Sequence, residues 1–187
     1  VRRVVSELRE FDNLYYEICN EPYCAGIGQP WQNRIADAIV EAEKDFPHRH
    51  LISQNVAHHA GKVENPHPGV SIFNFHYAWP PDTVAMNYAL NKPIGDNETG
   101  FRCIDDFPYR REAWEFILAG GALFSHLDYS FTVGHEDGSF VNPPGQWRGG
   151  SPAFREQMRS LKDFIHRFDF VRMKPDNGVI RGMLTGP

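Results

Sequence analysis

Apolar positions along the chain switch repeatedly between a helical and a strand period. Val1, Val4, Val5 and Leu8 recur at i, i+3, i+4 and i+7, which predicts an amphipathic helix at the start. Leu14 to Glu21 then reads as a strand stopped by Pro22. Pro30 suits the first turn of a second helix, with Ile35, Ala38, Ile39 and Ala42 as its buried stripe and Pro47 as its end. Leu51 to Val56 and Ser71 to Tyr77 are strand patterns, separated by a loop that Gly61, Pro66, Pro68 and Gly69 punctuate. Asp82 can cap a short helix through Leu90, and Lys92 to Glu98 reads as a strand. Asp106 and Pro108 introduce a helix carrying Trp114, Ile117 and Leu118, with Trp114 expected in the core, and Gly120-Gly121 ends it. Ala122 to Phe131 is the fifth strand candidate. After a Gly/Pro-rich loop from Val133 to Gly150, Ser151-Pro152 starts a helix with Phe154, Met158, Leu161, Ile165 and Phe168 at helical spacing.

The alternation of helices and strands argues for an α/β fold with about five parallel strands and helical crossovers. A length of 187 residues suits one domain, here 1–174, followed by a tail over 175–187. A net charge of -5 and 41% hydrophobic residues point away from disorder and from a nucleic-acid partner. No apolar run is long enough for a membrane span or a signal core, so no membrane partner is expected. A start at Val1 without methionine fits a processed, cropped or excised beginning; the compartment stays open, with secretion or a periplasmic location compatible. Cys19, Cys24 and Cys103 neither complete a disulfide framework nor match a common zinc spacing.

Polar groups at the ends of apolar strands carry the candidate chemistry, because the loops of parallel α/β units converge at the carboxyl ends of the strands. Glu21, Asn55, His76, Glu98 and Asp128 fall at or near such ends. Two glutamates with polar strands between them fit a paired-carboxylate site. Simple alternation puts Glu17 and Glu21 on one face of their strand, and Asp96 and Glu98 on one face of theirs. Glu17, Asp96 and Asp128 either orient the site or pair with arginines such as Arg102. His48, His50, His58 and His59 read as solvated loop residues rather than metal ligands. His126 reads as a core histidine, and His76 as either a core or a site residue.

Tyr16-Glu17-Ile18-Cys19-Asn20-Glu21-Pro22 resembles the fourth-strand motif of the TIM-barrel glycoside hydrolases typified by family 5 cellulases. Phe75-His76-Tyr77 is similar to their sixth strand, and Ile94-Gly95-Asp96-Asn97-Glu98 to the seventh. The likeness spans Leu14 to about Phe170. It implies a partial (β/α)8 barrel built from the equivalents of strands four to eight. It also implies a retaining hydrolase acting on β-1,4-linked glucan or a related β-linked oligo- or polysaccharide, with Glu98 as nucleophile and Glu21 as general acid/base, and with no metal or cofactor. Glu21 would then be held protonated by its surroundings. Asn20, His76 and Tyr77 would line the floor, and Trp31, Trp79 and Trp147 would offer stacking surfaces.

The chain departs from that family at three points. The first three strands are not represented, Ala78 stands where the family commonly has Tyr, and no Trp ends the last strand, where Ser125-His126-Leu127-Asp128-Tyr129 stands instead. These departures set a second expectation beside the first, a non-catalytic carbohydrate-binding or scaffold remnant. Five parallel strands would leave open edges and an apolar interior, so homo-oligomerisation to cover them is a further expectation.

Overall fold

A computed structural model describes residues 1–143, 149–179 and 182. The fold is α/β. One five-stranded, all-parallel sheet in the sequential order β1-β2-β3-β4-β5 is curled into a half-barrel and flanked by helices. Helix α1 (Arg2–Glu7) precedes β1 (Tyr15–Glu17). Helix α2 (Gln29–Ala42) leads to β2 (Leu51–His58), and a helix-free loop leads on to β3 (Ile72–His76). Helix α3 (Asp82–Asn87), continued by a 3-10 turn over Tyr88–Leu90, connects to β4 (Ile94–Thr99). Helix α4 (Asp106–Leu118) connects to β5 (Leu123–His126), and α5 (Pro152–Ile165) follows.

Local chemistry explains most boundaries. Pro30 sits in the first turn of α2 and Pro152 in that of α5, where a missing N–H costs nothing. Ser151 caps α5 by accepting the Phe154 N–H at 2.9 Å. That helix stops at Ile165, so Phe168 falls beyond it and meets the Phe164 ring from outside. On α4 the buried stripe is Tyr109, Glu112, Ala113 and Phe116, a clean i, i+3, i+4, i+7 set. Trp114 lies outside that stripe, half-buried against Phe164 of α5.

The strand expected over Leu14 to Glu21 is shorter than its apolar run. It ends at Glu17, Ile18 adds one more bond to the Ser53 carbonyl, and Pro22 starts a turn that the Ile27 N–H closes. Likewise β5 ends at His126 rather than Phe131. The tail expected over 175–187 lies partly outside the described residues. Within them Pro175 packs close to Gly120, and Asn177–Val179 forms a 3-10 turn.

The two faces of the sheet differ in kind. Ile52, Phe73, Phe75 and Ile94 face the helices and pack with Ala36, Ile39, Val84 and Phe116 into the core. The concave face, where an apolar interior was expected, is polar. Glu17 Oε2 accepts from Ser53 Oγ (3.2 Å), Asn74 Nδ2 (2.8 Å) and Asn97 Nδ2 (2.9 Å), so one carboxylate joins β1, β2, β3 and β4. Gly95 makes room for this network, because a Cβ there would stand 2.1 Å from Asn74 Oδ1. Gly95→Ala should therefore cost about 1–3 kcal/mol by overpacking a buried amide, measured as a lower urea midpoint.

Candidate functional site

Three irregularities in the ladder aim side chains at the concave mouth. Along β2 and β3, Asn55 pairs with Asn74 but Ala57 pairs with Phe75 and His58 with His76, so Val56 is the extra residue. Strict alternation from Asn55 would turn His58 toward the helices; the bulge turns it inward beside His76. Between β3 and β4, Phe75 pairs with Asp96 and His76 with Glu98, leaving Asn97 extra. Asn97 reaches Glu17 and Glu98 reaches the mouth, while Asp96 stays on the helix side. The expected shared face of Asp96 and Glu98 is thus undone by the bulge. The third shift lies between β4 and β5, after Asp96.

Glu21 enters from beyond β1. Its φ is 43°, a left-handed conformation uncommon outside glycine, and its N–H donates to Asn55 Oδ1 at 3.1 Å. Tyr77, the residue after β3, is also left-handed at φ 54°. Two site residues therefore hold backbone strain that their surroundings must enforce.

The side chains converge on Glu21. Its Oε1 lies 2.6 Å from His58 Nε2 and 2.8 Å from His76 Nδ1. His76 Nδ1 is also 3.6 Å from Glu98 Oε2, and the Tyr77 hydroxyl donates to Glu98 Oε1 at 2.7 Å. The two carboxylates can be no farther apart than 2.8 Å and 3.6 Å laid end to end. Both remain about one-fifth exposed, at 23% and 22%, so solvent and ligand can reach them.

Hydrogen bonding from His58 holds the Glu21 carboxyl below its usual pKa, against the opposing effect of burial, and His76 adds to the lowering. In the unliganded site the carboxylate form is favoured, not the protonated form that the sequence led us to expect. Burial raises the Tyr77 phenol, and its bond to Glu98 raises it further, so Tyr77 stays a proton donor. Asp96 is 1% exposed. Burial pushes it up to about 8, even though the amides of Ala78, Glu98 and Tyr77 favour its ionised form. It accepts the Ala78 N–H at 3.2 Å and so braces the chain just after Tyr77.

Of the residues expected at the site, Glu21, Glu98, His76 and Tyr77 come together. Asn20 is exposed beside them. Trp31 lies in the first turn of α2 with 42% exposure, and Trp79 is held on the helix side, where its indole donates to Glu115 and Arg102 and Arg111 lie over its ring. Trp147 falls outside the described residues. Asp128 pairs with Arg155 at 3.0 Å, and Arg102 pairs with Glu112. His50, expected in solvent, is instead clamped between Glu43 and the Phe11 carbonyl at 2.6 Å each. His126 is packed between Tyr109 and Phe154, and burial lowers it to about 4.

His58 is the residue of this cluster that the sequence reads as loop, because the strand pattern ends at Val56. The available signal was its place at the end of β2, one strand over from His76. Glu21, His58 and His76 offer three ligand atoms within 4.8 Å, a set that could hold a divalent ion if their hydrogen bonds opened. His76 Nε2 is buried without a partner, however, whereas a ligating histidine usually donates its second nitrogen to an orienting group. The geometry fits a hydrogen-bonded acid/base cluster better than a metal centre. No protein-family model matches the chain, and no curated protein matches its sequence.

Between about pH 4 and pH 8 the folded chain binds a proton at Asp96 that the unfolded chain releases. Stability should therefore fall as pH rises through that window and level off above it. Asp96→Asn should flatten the slope, which denaturant unfolding at about pH 5 and about pH 8.5 would show as a difference on the order of a few kcal/mol in the parent alone.

Proposed function

We propose that this chain carries the two-glutamate site of a retaining glycoside hydrolase acting on β-1,4-linked glucan or a related β-glycan, on a partial (β/α)8 TIM barrel. The observation that carries the reading is His76 bridging Glu21 and Glu98 at 2.8 Å and 3.6 Å. That span is compatible with the roughly 5 to 5.5 Å between carboxyls of retaining enzymes. The resemblance of the Asn20-Glu21-Pro22 and Gly95 to Glu98 stretches to family 5 cellulases supports the same assignment.

Glu98, oriented by the Tyr77 hydroxyl, attacks the anomeric carbon. The glycosidic C–O bond breaks as Glu21 gives its proton to the departing oxygen. Water then enters on the same side, Glu21 takes its proton, and the hydroxide displaces Glu98 from the anomeric carbon. Glu21 lies in a set of three groups, with His58 and His76, that can share the transferred proton. His58 is the main reason Glu21 favours its ionised form, so it sets the alkaline limit of the acid step.

One observation favours a second reading, a non-catalytic carbohydrate-binding or scaffold remnant. The half-barrel is open beyond β1 and β5. Self-association of two copies would cover those edges, and solution mass measures it directly.

Assays on a β-1,4-glucan oligomer and a chromogenic aryl β-glycoside separate the readings. Glu21→Gln should lower kcat/KM on the glucan by about 10²- to 10⁴-fold, Glu98→Gln by at least as much, and NMR should show the β anomer as first product. Unchanged activity in both variants would remove the mechanism, whereas an inactive parent that still binds oligosaccharide would favour the remnant. Replacing His58 should also move the alkaline limb of the kcat/KM profile to higher pH, because the carboxyl it holds down is released. A limb that moves down or stays would detach His58 from the acid step.

A further inference from the structure

His50 joins three separate elements. Its Nδ1 lies 2.6 Å from Glu43 Oε1 at the end of α2, and its Nε2 lies 2.6 Å from the Phe11 carbonyl in the segment between α1 and β1. The His50 backbone N–H donates to the other Glu43 oxygen at 3.0 Å, so both carboxyl oxygens are engaged. The two side chains are withdrawn from water, His50 at 7% exposure and Glu43 at 2%. The Tyr16 ring meets His50 edge-on, with 5.1 Å between ring centres.

This arrangement requires two protons. A carbonyl oxygen only accepts, so Nε2 must carry an N–H. Nδ1 and Glu43 Oε1 then need one further proton between them, whether an imidazolium donates it to a carboxylate or a carboxylic acid donates it to a neutral ring. With one proton gone, an ionised Glu43 and a neutral imidazole have one ring N–H for two acceptors. The charged acceptor is the stronger, so the proton stays on Nδ1 and Nε2 turns a lone pair toward the Phe11 oxygen. Two acceptors cannot remain at hydrogen-bond distance without a proton, and the Phe11 segment has to move.

That segment leads into an edge strand. β1 is joined to β2 by three residue pairs, Tyr15 with Leu51, Tyr16 with Ile52 and Glu17 with Ser53. His50 immediately precedes the first of these pairs, so its contacts close the open end of the ladder. At the other end the Ile18 N–H bonds the Ser53 carbonyl at 3.0 Å. Glu17, whose carboxylate joins four strands, lies between these two ties.

We propose that Glu43, His50 and the Phe11 carbonyl form a proton-operated latch on β1, closed while the Glu43–His50 pair carries two protons and open when one leaves. Burial disfavours the charged imidazole, but the Phe11 carbonyl, Glu43 and Asp12 outweigh it and hold His50 above its ordinary value. The surrounding groups leave that sign intact. Burial and Glu43 raise the Tyr16 phenol, which stays neutral in this window. Among the flanking cations, Arg9 lies over the Phe46 ring, Lys44 pairs with Glu41 beside Asp45, and Arg49 reaches the Lys44 carbonyl. A proton held more tightly in the folded chain contributes its full stabilisation below about pH 6.5, the ordinary histidine value, and loses it as pH rises through the raised one. The latch therefore opens on the alkaline side, whatever chemistry Glu21 and Glu98 perform.

NMR of the full chain from about pH 5 to about pH 10 tests this, with the ring 15N resonances of His50 and the 13C resonance of the Phe11 carbonyl as readouts. The His50 midpoint should lie above about 6.5, and the Phe11 carbonyl should move with the same midpoint as its hydrogen bond is lost. That readout is local, so the titration of Asp96 does not enter it. Exchange of the Ile18 amide, corrected for its intrinsic pH dependence, should quicken about tenfold across the same midpoint. Glu43→Gln keeps an acceptor but removes the charge, and should lower the midpoint. Should that variant fold poorly, Asp12→Asn at the exposed end of the segment should lower it by less. A His50 midpoint at or below the ordinary value, or a Phe11 carbonyl that does not follow His50, would overturn the latch. So would an Ile18 amide whose protection is unchanged while the carbonyl moves, because β1 would then not be what the contact holds.

Discussion

The carboxylate of Glu17 is the tie on which the concave side of this molecule depends. In water a carboxylate has all the hydrogen bonds it needs, so drawing one toward the floor of a sheet is tolerable only when donors replace the solvent. Here the donors come from the three strands that follow its own. The interaction is charge-assisted, directional and spans four strands, so it fixes their relative rise in a way that apolar contacts on the opposite face cannot. Everything above it at the mouth is placed with respect to that floor.

From the floor upward, regular pairing gives way to bulges, and the side chains of the candidate site sit where it does. A regular parallel ladder would send every second residue to the helices. One extra residue on β2 and one on β4 bring His58 and Glu98 onto the same side as His76, while Glu21 and Tyr77 hold left-handed backbone just beyond their strands. Asp96 lies directly behind this arrangement, and its buried carboxyl holds the backbone around Tyr77 and Ala78. Left-handed backbone at Glu21 and Tyr77 and the buried carboxyl of Asp96 thus lie within a few residues of the two glutamates.

The alternation of strands and helices and the strand-end placement of Glu21, His76 and Glu98 were legible in the sequence because each depends on local pattern, whereas Tyr77 entered only through the likeness to family 5 cellulases. Glu21, His76 and Glu98 are polar groups at the ends of apolar runs followed by Pro, Gly or a turn. What alternation could not supply was anything downstream of a bulge. His58 read as a loop residue because the strand pattern ends at Val56, two residues short of where β2 stops, and Asp96 was grouped with Glu98 because counting by twos does not see the bulge between them. The fates of Trp79 and His50 were illegible for another cause: their partners, Glu115, Arg102 and Glu43, lie in separate elements and meet them only in the folded chain. The polar floor was hidden too, since Ser53, Asn74 and Asn97 are each unremarkable until the sheet places them around one oxygen.

That polar floor also alters the thermal character of the sheet. Parallel sheets covered on both faces bury apolar side chains on each side, and unfolding them exposes a large hydrocarbon area with a correspondingly large heat-capacity increment. This sheet buries its apolar core on the helix side, and the release of Glu17, Ser53, Asn74 and Asn97 to water contributes with the opposite sign. Its stability curve should be flatter across temperature than its strand content suggests, with the concave side held by forces that fade little on cooling.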